Sequence, residues 1–175
     1  MRKLMILTFM TLDGVMQAPG GKGEDLSGGF NYEGWAMPLL DETGLQEMGR
    51  QLSVPFDLLL GRKTYDIFAG YWPDHHEDGA TLNAAVKYVA TRGGARDKWD
   101  KTVFLTGNVA EKIKALKAQD DPMLQVHRSG ELIQTLLTHD PADRLWLKIF
   151  PIVPGQGKRL FGTGAVPAAF RLTEQ

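Results

Sequence analysis

Residues 58–68 read LLLGRKTYDIF, and this stretch decides the fold class. The apolar run that ends at Leu60 has the length of a buried strand, and Gly61 allows the chain to turn closely. The residues after Gly61 begin a helical pattern whose first turn is basic. A buried strand that passes through glycine directly into a helix is typical of α/β domains.

The same alternation of strand and helix continues on both sides of this stretch. The short apolar segments that we predict as strands are residues 4–10, 55–60, 87–92, 101–106, 123–127 and 143–153. Helices are predicted over 41–52 and 62–70, and after the suitable N-caps Asn108 and Ser129. This order favours a mostly parallel sheet with helices on both faces. Residues 168–175 are predicted as a last strand, with antiparallel pairing expected at the C-terminal end of the sheet.

Composition limits the classes of protein that the chain can represent. Its 175 residues suit one domain over 1–175, and a net charge of −1 gives no support for nucleic acid or a membrane surface as partner. No cysteine is present, which excludes disulfides, thiol catalysis and cysteine-ligated metals and favours a cytoplasmic setting. The adjacent His75 and His76 are interpreted as a solvated loop, so no metal is expected.

Three basic turns are predicted at the same edge of the sheet, where parallel strands end and ligands bind in α/β proteins. The residues in these turns are Gly61, Arg62, Lys63 and Thr64, then Thr91 and Arg92 before Gly93 and Gly94, and finally Arg128, Ser129 and Gly130. Glycine permits close backbone approach, and arginine binds phosphate in a bidentate manner. Each turn alone is also compatible with a solvated helix start or a loop cap. Together they indicate a ligand with several phosphates, and the arginines favour NADPH over NADH.

The stretch from Asp13 to about Met37 is rich in glycine and poor in periodicity, which is typical of a segment that is either disordered or functional. Asp13 is our candidate catalytic residue, because it could orient a substrate or relay a proton; the alternative is a turn that ends the first strand. Trp35 could close over a planar substrate or anchor the loop to the core. Neither a G-x-G-x-x-G nor a P-loop motif occurs, which excludes the common Rossmann and P-loop classes.

The ordered set of motifs resembles the dihydrofolate reductase-like family over nearly the whole chain. The motifs are LDG at 12–14, LLLGRKTYDIF at 58–68, KYVATR at 87–92, QVHRSGELIQTLL at 125–137 and KIFPIVPGQGKRLF at 148–161. They are most similar to stand-alone relatives of the reductase domain in bifunctional riboflavin-biosynthesis enzymes. The resemblance implies an NADPH-dependent reductase, a homodimer, and cofactor contacts at the three basic turns. It also implies that Gly14 and the following loop cover nicotinamide and substrate.

Two departures from the family pattern concern the site. Arg128 stands where the family usually has glycine, so this side chain could block the cofactor or add a phosphate contact. Leu45 falls where spacing would put the carboxylate that dihydrofolate reductases direct at the pterin. Asp41 and Glu47 remain the nearby acidic candidates on the substrate side, and Lys158 could bind a substrate phosphate or lie in a solvated hairpin.

These observations lead to one expected activity and two alternatives. We expect hydride transfer from NADPH to a small heterocyclic or sugar-phosphate substrate. The nearest named reaction is the reduction of 5-amino-6-(5-phosphoribosylamino)uracil in riboflavin biosynthesis, without the deaminase step, which needs zinc-ligating cysteines. The alternatives are a dihydrofolate or pteridine reductase and a dinucleotide-binding module without turnover.

Overall fold

The computed structural model describes residues 1–93, 98–139, 142–163, 165 and 167–175. The strands that it contains are β1 (Leu4–Thr11), β2 (Phe56–Gly61), β3 (Lys87–Ala90), β4 (Thr102–Leu105), β5 (Met123–His127) and β6 (Arg144–Phe150). The α-helices are α1 (Glu42–Leu52), α2 (Arg62–Ala69), α3 (Ala80–Ala84), α4 (Val109–Lys117) and α5 (Gly130–His139). Short 3-10 turns lie at Ser27–Gly29, Met37–Leu39 and Trp72–Asp74.

The six strands form one sheet in the order β4-β3-β2-β5-β1-β6, and every pairing of neighbouring strands is parallel. In the register of β1, which lies between β5 and the edge strand β6, Ile6 is opposite Val126 on one side and Leu145 on the other. Because parallel neighbours need long crossovers, the helices between the strands cover the faces of the sheet. The α/β class and the parallel sheet expected from the sequence are confirmed.

The antiparallel pairing expected at the C-terminal end is wrong. Among the described residues after β6, one isolated antiparallel bridge forms, between Arg159 and Val15, and residues 168–175 form no strand. Phe170 and Leu172 in this stretch are 59% and 75% exposed. A segment that buries so little apolar surface gains little from joining a sheet edge. Alternating residues indicate an extended backbone, but they do not specify a pairing partner.

The two faces of the sheet carry separate hydrophobic cores. On one face, Leu59 packs with residues of α4 and α5 such as Ile113 and Ile133. On the other face, Leu58 and Leu60 pack with residues of α2 and α3. A fully buried leucine stabilises the fold by roughly 1.5–3 kcal/mol, so these alternating leucines hold β2 between two helical layers.

Two of the helices begin at a polar side chain that caps their first turn. Asn108 caps α4 by accepting from the N–H of Glu111, as expected for an N-cap, and Asp41 caps α1 by accepting from Gly44 N–H at 2.8 Å. By contrast, the N-cap of α2 is Gly61, which has no side chain to cap the helix. Within the described part of the chain, no helix is long and apolar enough to cross a membrane.

Candidate functional site

The candidate site lies where β2 and β5 are neighbours. After β2 the chain enters α2 on one face, and after β5 it enters α5 on the opposite face. Such a switch point opens a crevice at the carboxyl ends of the strands. A cavity of about 1290 Å³ occupies this position. It exceeds the roughly 300–1,000 Å³ of ordinary small-molecule pockets, so it offers space for a long ligand.

The structure brings the three basic turns together around this cavity. The predicted residues that line it are Gly61, Arg62, Lys63, Thr64, Thr91, Arg92, Arg128, Ser129 and Gly130, together with Lys158. Gly93 also lines the cavity, whereas Gly94 lies outside the described residues. Turns that are far apart in the sequence meet because parallel strands end at the same edge.

The first and third turns are joined by hydrogen bonds. The N–H of Gly61 donates to Ser129 Oγ at 2.9 Å, and the N–H of Ser129 donates to Thr64 Oγ1 at 3.2 Å. Ser129 Oγ also donates to the carbonyl of His127 at 2.9 Å. The hydroxyls of Thr64 and Ser129 therefore hold the crevice walls at a fixed separation, in addition to any contact with a ligand.

Charged side chains around the cavity are largely paired with one another. Among the described lining residues, three ion pairs form, and they join Arg62 to Asp66, Arg128 to Glu24, and Lys158 to Asp25. Hydrogen bonds from Lys158 and Ser27 outweigh the opposing effect of burial and lower the pKa of Asp25. Lys63 and Arg92 are exposed and form no ion pair with a described residue. These two cations are the ones most available to an anionic ligand.

The second turn is shaped by Thr91. This residue is buried, and its N–H donates to the Leu105 carbonyl at 3.0 Å, which continues the pairing of β3 with β4. Its Oγ1 accepts from Gly93 N–H at 3.2 Å. The turn therefore has a defined backbone that presents Arg92 at the cavity.

Arg128 lines the cavity and contacts the glycine-rich segment. Its backbone has a φ of +57°, a left-handed conformation that costs a non-glycine residue roughly 1–2 kcal/mol. Its guanidinium pairs with Glu24 of the glycine-rich segment and lies 5.7 Å from the Phe68 ring centroid. A Cβ on Gly20 would lie 2.6 Å from Arg128 Nη2, so a larger residue there would displace the guanidinium. Arg128 therefore connects the third turn to the glycine-rich segment.

Asp13 and Gly14 do not belong to the described lining of the cavity. Asp13 accepts from Thr11 Oγ1 at 2.6 Å and from Gly155 N–H at 3.0 Å, and it pairs with Arg159. The hydrogen bond from Thr11, outweighing the effect of burial, lowers the pKa of this carboxyl. Gly14 has a φ of +83°, as a tight turn requires. These contacts favour the interpretation of Asp13 as a turn residue, and its catalytic role stays a prediction.

Trp35 anchors the glycine-rich segment. Its ring is buried and meets Phe150 edge-on at 5.4 Å between centroids, while its Nε1–H donates to the Gln17 carbonyl at 2.8 Å. Together with Phe30 and Ala18 it belongs to a third small core. The structure therefore favours the anchoring interpretation of Trp35. Trp35 is not among the described residues that line the cavity; from the same segment, the lining residues are Met16 to Ala18 and Gly23 to Leu26.

The acidic candidates on α1 lie outside the described lining of the cavity. Asp41 is the α1 N-cap, and Glu47 pairs with Arg50 at 2.8 Å. Leu45, which stands where spacing would put a pterin-binding carboxylate, is 56% exposed.

Sequence reasoning missed several residues that shape the site. Glu24, Asp25 and Asp66 line the cavity and bind its cations. Arg62 and Asp66 are four residues apart on a helix, and this spacing alone is enough to predict their ion pair. Glu24 and Asp25 lie more than one hundred residues from their partners, and no local pattern indicates those pairs.

The arrangement can bind an elongated anion. The first turns of α2 and α5 both face the cavity, and helix N-termini favour negative charge. The uncapped start of α2 lies next to Lys63, and Arg92 faces the same space. These features fit a dinucleotide with phosphates at several positions.

Comparisons with known proteins agree with this architecture. A model of the RibD C-terminal domain family matches residues 2–175. The uncharacterized protein YyaP of Bacillus subtilis (strain 168) is 23% identical over 167 residues, which cover 91% of this chain and 80% of YyaP. A solved structure from Shewanella sp. PV-4, named for riboflavin biosynthesis, has a TM-score of 0.66 and 22% identity, covering 98% of this chain and 90% of that one. A pyrimidine reductase-like protein from Corynebacterium diphtheriae has a TM-score of 0.55 and 14% identity, with coverage of 97% and 83%.

Proposed function

The chain belongs to the RibD C-terminal domain family, and from this premise we propose that it is an NADPH-dependent oxidoreductase. Its substrate is a small heterocycle or a sugar phosphate. The nearest named reaction is the reduction of 5-amino-6-(5-phosphoribosylamino)uracil, the reductase step of riboflavin biosynthesis. The family match agrees with the resemblance carried by the sequence motifs.

One observation carries this proposal, namely the convergence of three basic turns on a single cavity. Lys63, Arg92 and Arg128 come from the ends of three different strands and line the same space. A ligand that contacts all three must carry negative charge at separate points along its length. A dinucleotide with an additional 2′-phosphate meets this requirement.

The residues of the three turns would hold NADPH in distinct ways. The N-terminus of α2 and Lys63 would bind phosphate, and Arg92 would bind the adenosine phosphate end. Ser129 and Gly130, at the start of α5, would lie beside the pyrophosphate. When bound, NADPH supplies the hydride, and the protein supplies orientation, electrostatics and exclusion of water. Gly23 to Leu26 line the cavity and would help to exclude water from it.

We also propose a homodimer in the cytoplasm. Ile149 on the edge strand β6 and Val153 just after it are 57% and 62% exposed. Large exposed apolar side chains at a sheet edge are typical of surfaces that associate. Light scattering coupled to gel filtration tests this, and a mass of one chain at micromolar concentration would contradict it.

The activity is tested by NADPH oxidation with 5-amino-6-(5-phosphoribosylamino)uracil, followed by product analysis. We expect substrate-dependent oxidation at 340 nm that falls in Arg92→Ala. Arg144→Ala is a matched control, because Arg144 is exposed at the amino end of β6, away from the cavity edge. NADPH binding without oxidation of any substrate in a panel of oxo-heterocycles and sugar phosphates would support the dinucleotide-binding module instead.

A further inference from the structure

The glycine-rich segment contains a short loop, residues 19–24 with the sequence PGGKGE, whose backbone binds a carboxylate. The N–H groups of Gly20 and Gly21 both donate to one oxygen, Glu24 Oε2, at 2.7 and 3.3 Å. Successive N–H groups that converge in this way form a nest, a concavity that binds anions. The anion in this nest is the side chain of the chain's own Glu24.

Arg128 faces the same carboxylate from the third basic turn. Its Nη1 donates to Glu24 Oε1, so the carboxylate lies between the backbone donors of the loop and a guanidinium. The guanidinium also lies 5.7 Å from the Phe68 ring centroid, a distance at which an aromatic face attracts a cation. A guanidinium has more donors than one carboxylate oxygen can accept from, and Glu24 is the acceptor of this side chain among the described residues.

The carboxylate and the guanidinium are both part of the wall of the large cavity. Glu24 and Arg128 line it, as does Gly23 in the same loop. The side chain of Arg128 is 26% exposed and that of Glu24 is 9% exposed, so Glu24 is held by its donors more than by water. Because Glu24 itself lines the cavity, a ligand that displaces its carboxylate comes within reach of the donors that now bind it.

The nest has no room for a side chain at Gly20. A Cβ at this position would lie 2.6 Å from Arg128 Nη2 and 3.0 Å from Glu24 Oε2. At the neighbouring Gly21, a Cβ would meet nothing within 4 Å. The two adjacent glycines therefore differ. The first leaves space for the anion and its cation, whereas the second contributes only its N–H group.

The charges around the nest favour an anion with more charge than one carboxylate. Lys22, in the same loop, is exposed and forms no ion pair with a described residue. The neighbouring acid, Asp25, is paired with Lys158. A phosphate group carries about two negative charges at pH 7 and several strong acceptor oxygens. It can therefore accept from both backbone N–H groups and from Arg128 at once, with Lys22 close by in the loop.

We propose that the N–H groups of Gly20 and Gly21 and the guanidinium of Arg128 form a phosphate site, which Glu24 fills in the free protein. A phosphate displaces the carboxylate and accepts the same hydrogen bonds, so that the ligand joins the loop to the third turn. Glu24 sets the strength of binding, because the ligand competes with a carboxylate of the same chain. The inference rests on the proposed function only for the source of the phosphate, which is either the cofactor or a phosphorylated substrate.

Inorganic phosphate is the probe, and the backbone amide NMR signals of Gly20 and Gly21 report on the site. We expect both signals of the full wild-type chain to shift when phosphate is added at constant ionic strength. In Glu24→Gln, which keeps the shape and removes the charge, the affinity should rise at least about tenfold, the factor that one charge-assisted hydrogen bond accounts for. The signals of the wild-type chain test the site without any variant.

Matched variants separate the site from general effects of charge and of the loop. Asp120→Asn removes the same charge from an exposed residue before β5, at the opposite edge of the sheet, and should bind phosphate as wild type does. Gly20→Ala should lose phosphate binding, because its Cβ takes the space of the anion. Gly21→Ala should retain binding, because its Cβ lies in open space.

The same titration in saturating NADPH identifies the source of the phosphate. If NADPH alone shifts the Gly20 and Gly21 signals and then abolishes the response to phosphate, the site binds a phosphate of the cofactor. If phosphate still shifts these signals in the presence of NADPH, the site binds a phosphate of the substrate. Both results support the site.

Other outcomes overturn it. Signals of Gly20 and Gly21 that move with neither phosphate nor NADPH would show that the nest only closes the loop. Equal phosphate affinity in wild type, Glu24→Gln and Asp120→Asn would show that Glu24 does not compete. In both cases the reductase proposal stands, because NADPH oxidation is measured separately. If phosphate binds as expected but NADPH neither binds nor is oxidised, the reductase proposal fails while the phosphate site stands.

Discussion

The backbone N–H of Gly61 donates a hydrogen bond to Ser129 Oγ at 2.9 Å, across 68 residues of sequence. This bond joins the end of β2 to the turn after β5, at the point where the chain changes faces of the sheet. The same hydroxyl donates to the His127 carbonyl, and Ser129 is buried. The Ser129 hydroxyl therefore bonds to two backbone polar groups and ties the end of β2 to the turn after β5.

Removal of this hydroxyl should destabilise the protein. In Ser129→Ala, the Gly61 N–H and the His127 carbonyl both lose their hydrogen bond to this hydroxyl, which should lower the free energy of unfolding by about 1–3 kcal/mol. Urea denaturation followed by circular dichroism measures the change. Ser53→Ala is the matched control, because the Ser53 hydroxyl makes an exposed bond to the Arg50 carbonyl. A loss no greater than in the control would show that the bond is dispensable.

The basic turns should distinguish NADPH from NADH. We expect NADPH to bind at least about tenfold more tightly, because one charge-assisted hydrogen bond to the 2′-phosphate accounts for that factor. Arg92→Ala and Arg62→Ala should reduce NADPH affinity more than NADH affinity. The effect of Arg92 should be larger, because Asp66 competes for Arg62. Fluorescence titration with both cofactors decides this, and equal affinities would refute the assignment of these arginines.

Arg128 and Glu24 form an ion pair, and variants of these two residues test whether Arg128 assists or blocks cofactor binding. We expect Arg128→Gly to weaken NADPH about tenfold, because a phosphate contact is lost. Glu24→Gln should tighten NADPH, because Glu24 competes with the cofactor for the guanidinium. Asp25→Asn controls for loosening of the segment, since Asp25 pairs with Lys158 instead. Tighter binding by Arg128→Gly in the same titration would identify Arg128 as an obstruction.

The glycine-rich segment should become more protected when ligands bind. We predict that residues 18–34 open readily in the free protein and are ordered over the cavity by NADPH and substrate, as active-site lids are. Trp35 and Ala18 are buried, so the largest change should fall on the residues between them. Hydrogen exchange with and without ligands measures this, with α4 as the internal reference. Equal protection in both states would identify a structural loop.

Dihydrofolate should not be a good substrate. Reduction of its pterin needs a protonated ring nitrogen, which a facing carboxylate stabilises. Leu45 is exposed, and Glu47 is paired with Arg50, while Lys148 adds a positive charge nearby. Steady-state NADPH oxidation with dihydrofolate and methotrexate binding are the measurements. A kcat/KM above about 10⁴ M⁻¹s⁻¹ would overturn this prediction and make Glu47 the first residue to replace.

The sequence by itself determined the six strands of the sheet, four of the five α-helices described and the edge at which the basic turns meet. These features depend on contacts between near neighbours. The leucines of β2 alternate between two faces, and Asn108 caps the helix that it precedes. The common edge follows from strand direction, because parallel strands place all their carboxyl ends together. Strand direction and the order of the motifs therefore suffice to assign Arg62, Arg92 and Arg128 to one site.

Only the tertiary structure decided which partners these side chains have. Residues 168–175 read as a strand, but their pairing depends on a sheet edge and on buried surface that their own pattern does not contain. The pair of Arg128 with Glu24 and the contact of Lys148 with Gln51 join residues 104 and 97 positions apart. Short-range patterns report backbone conformation and burial, whereas such pairs depend on how separate elements pack, and that packing is set by the whole core at once.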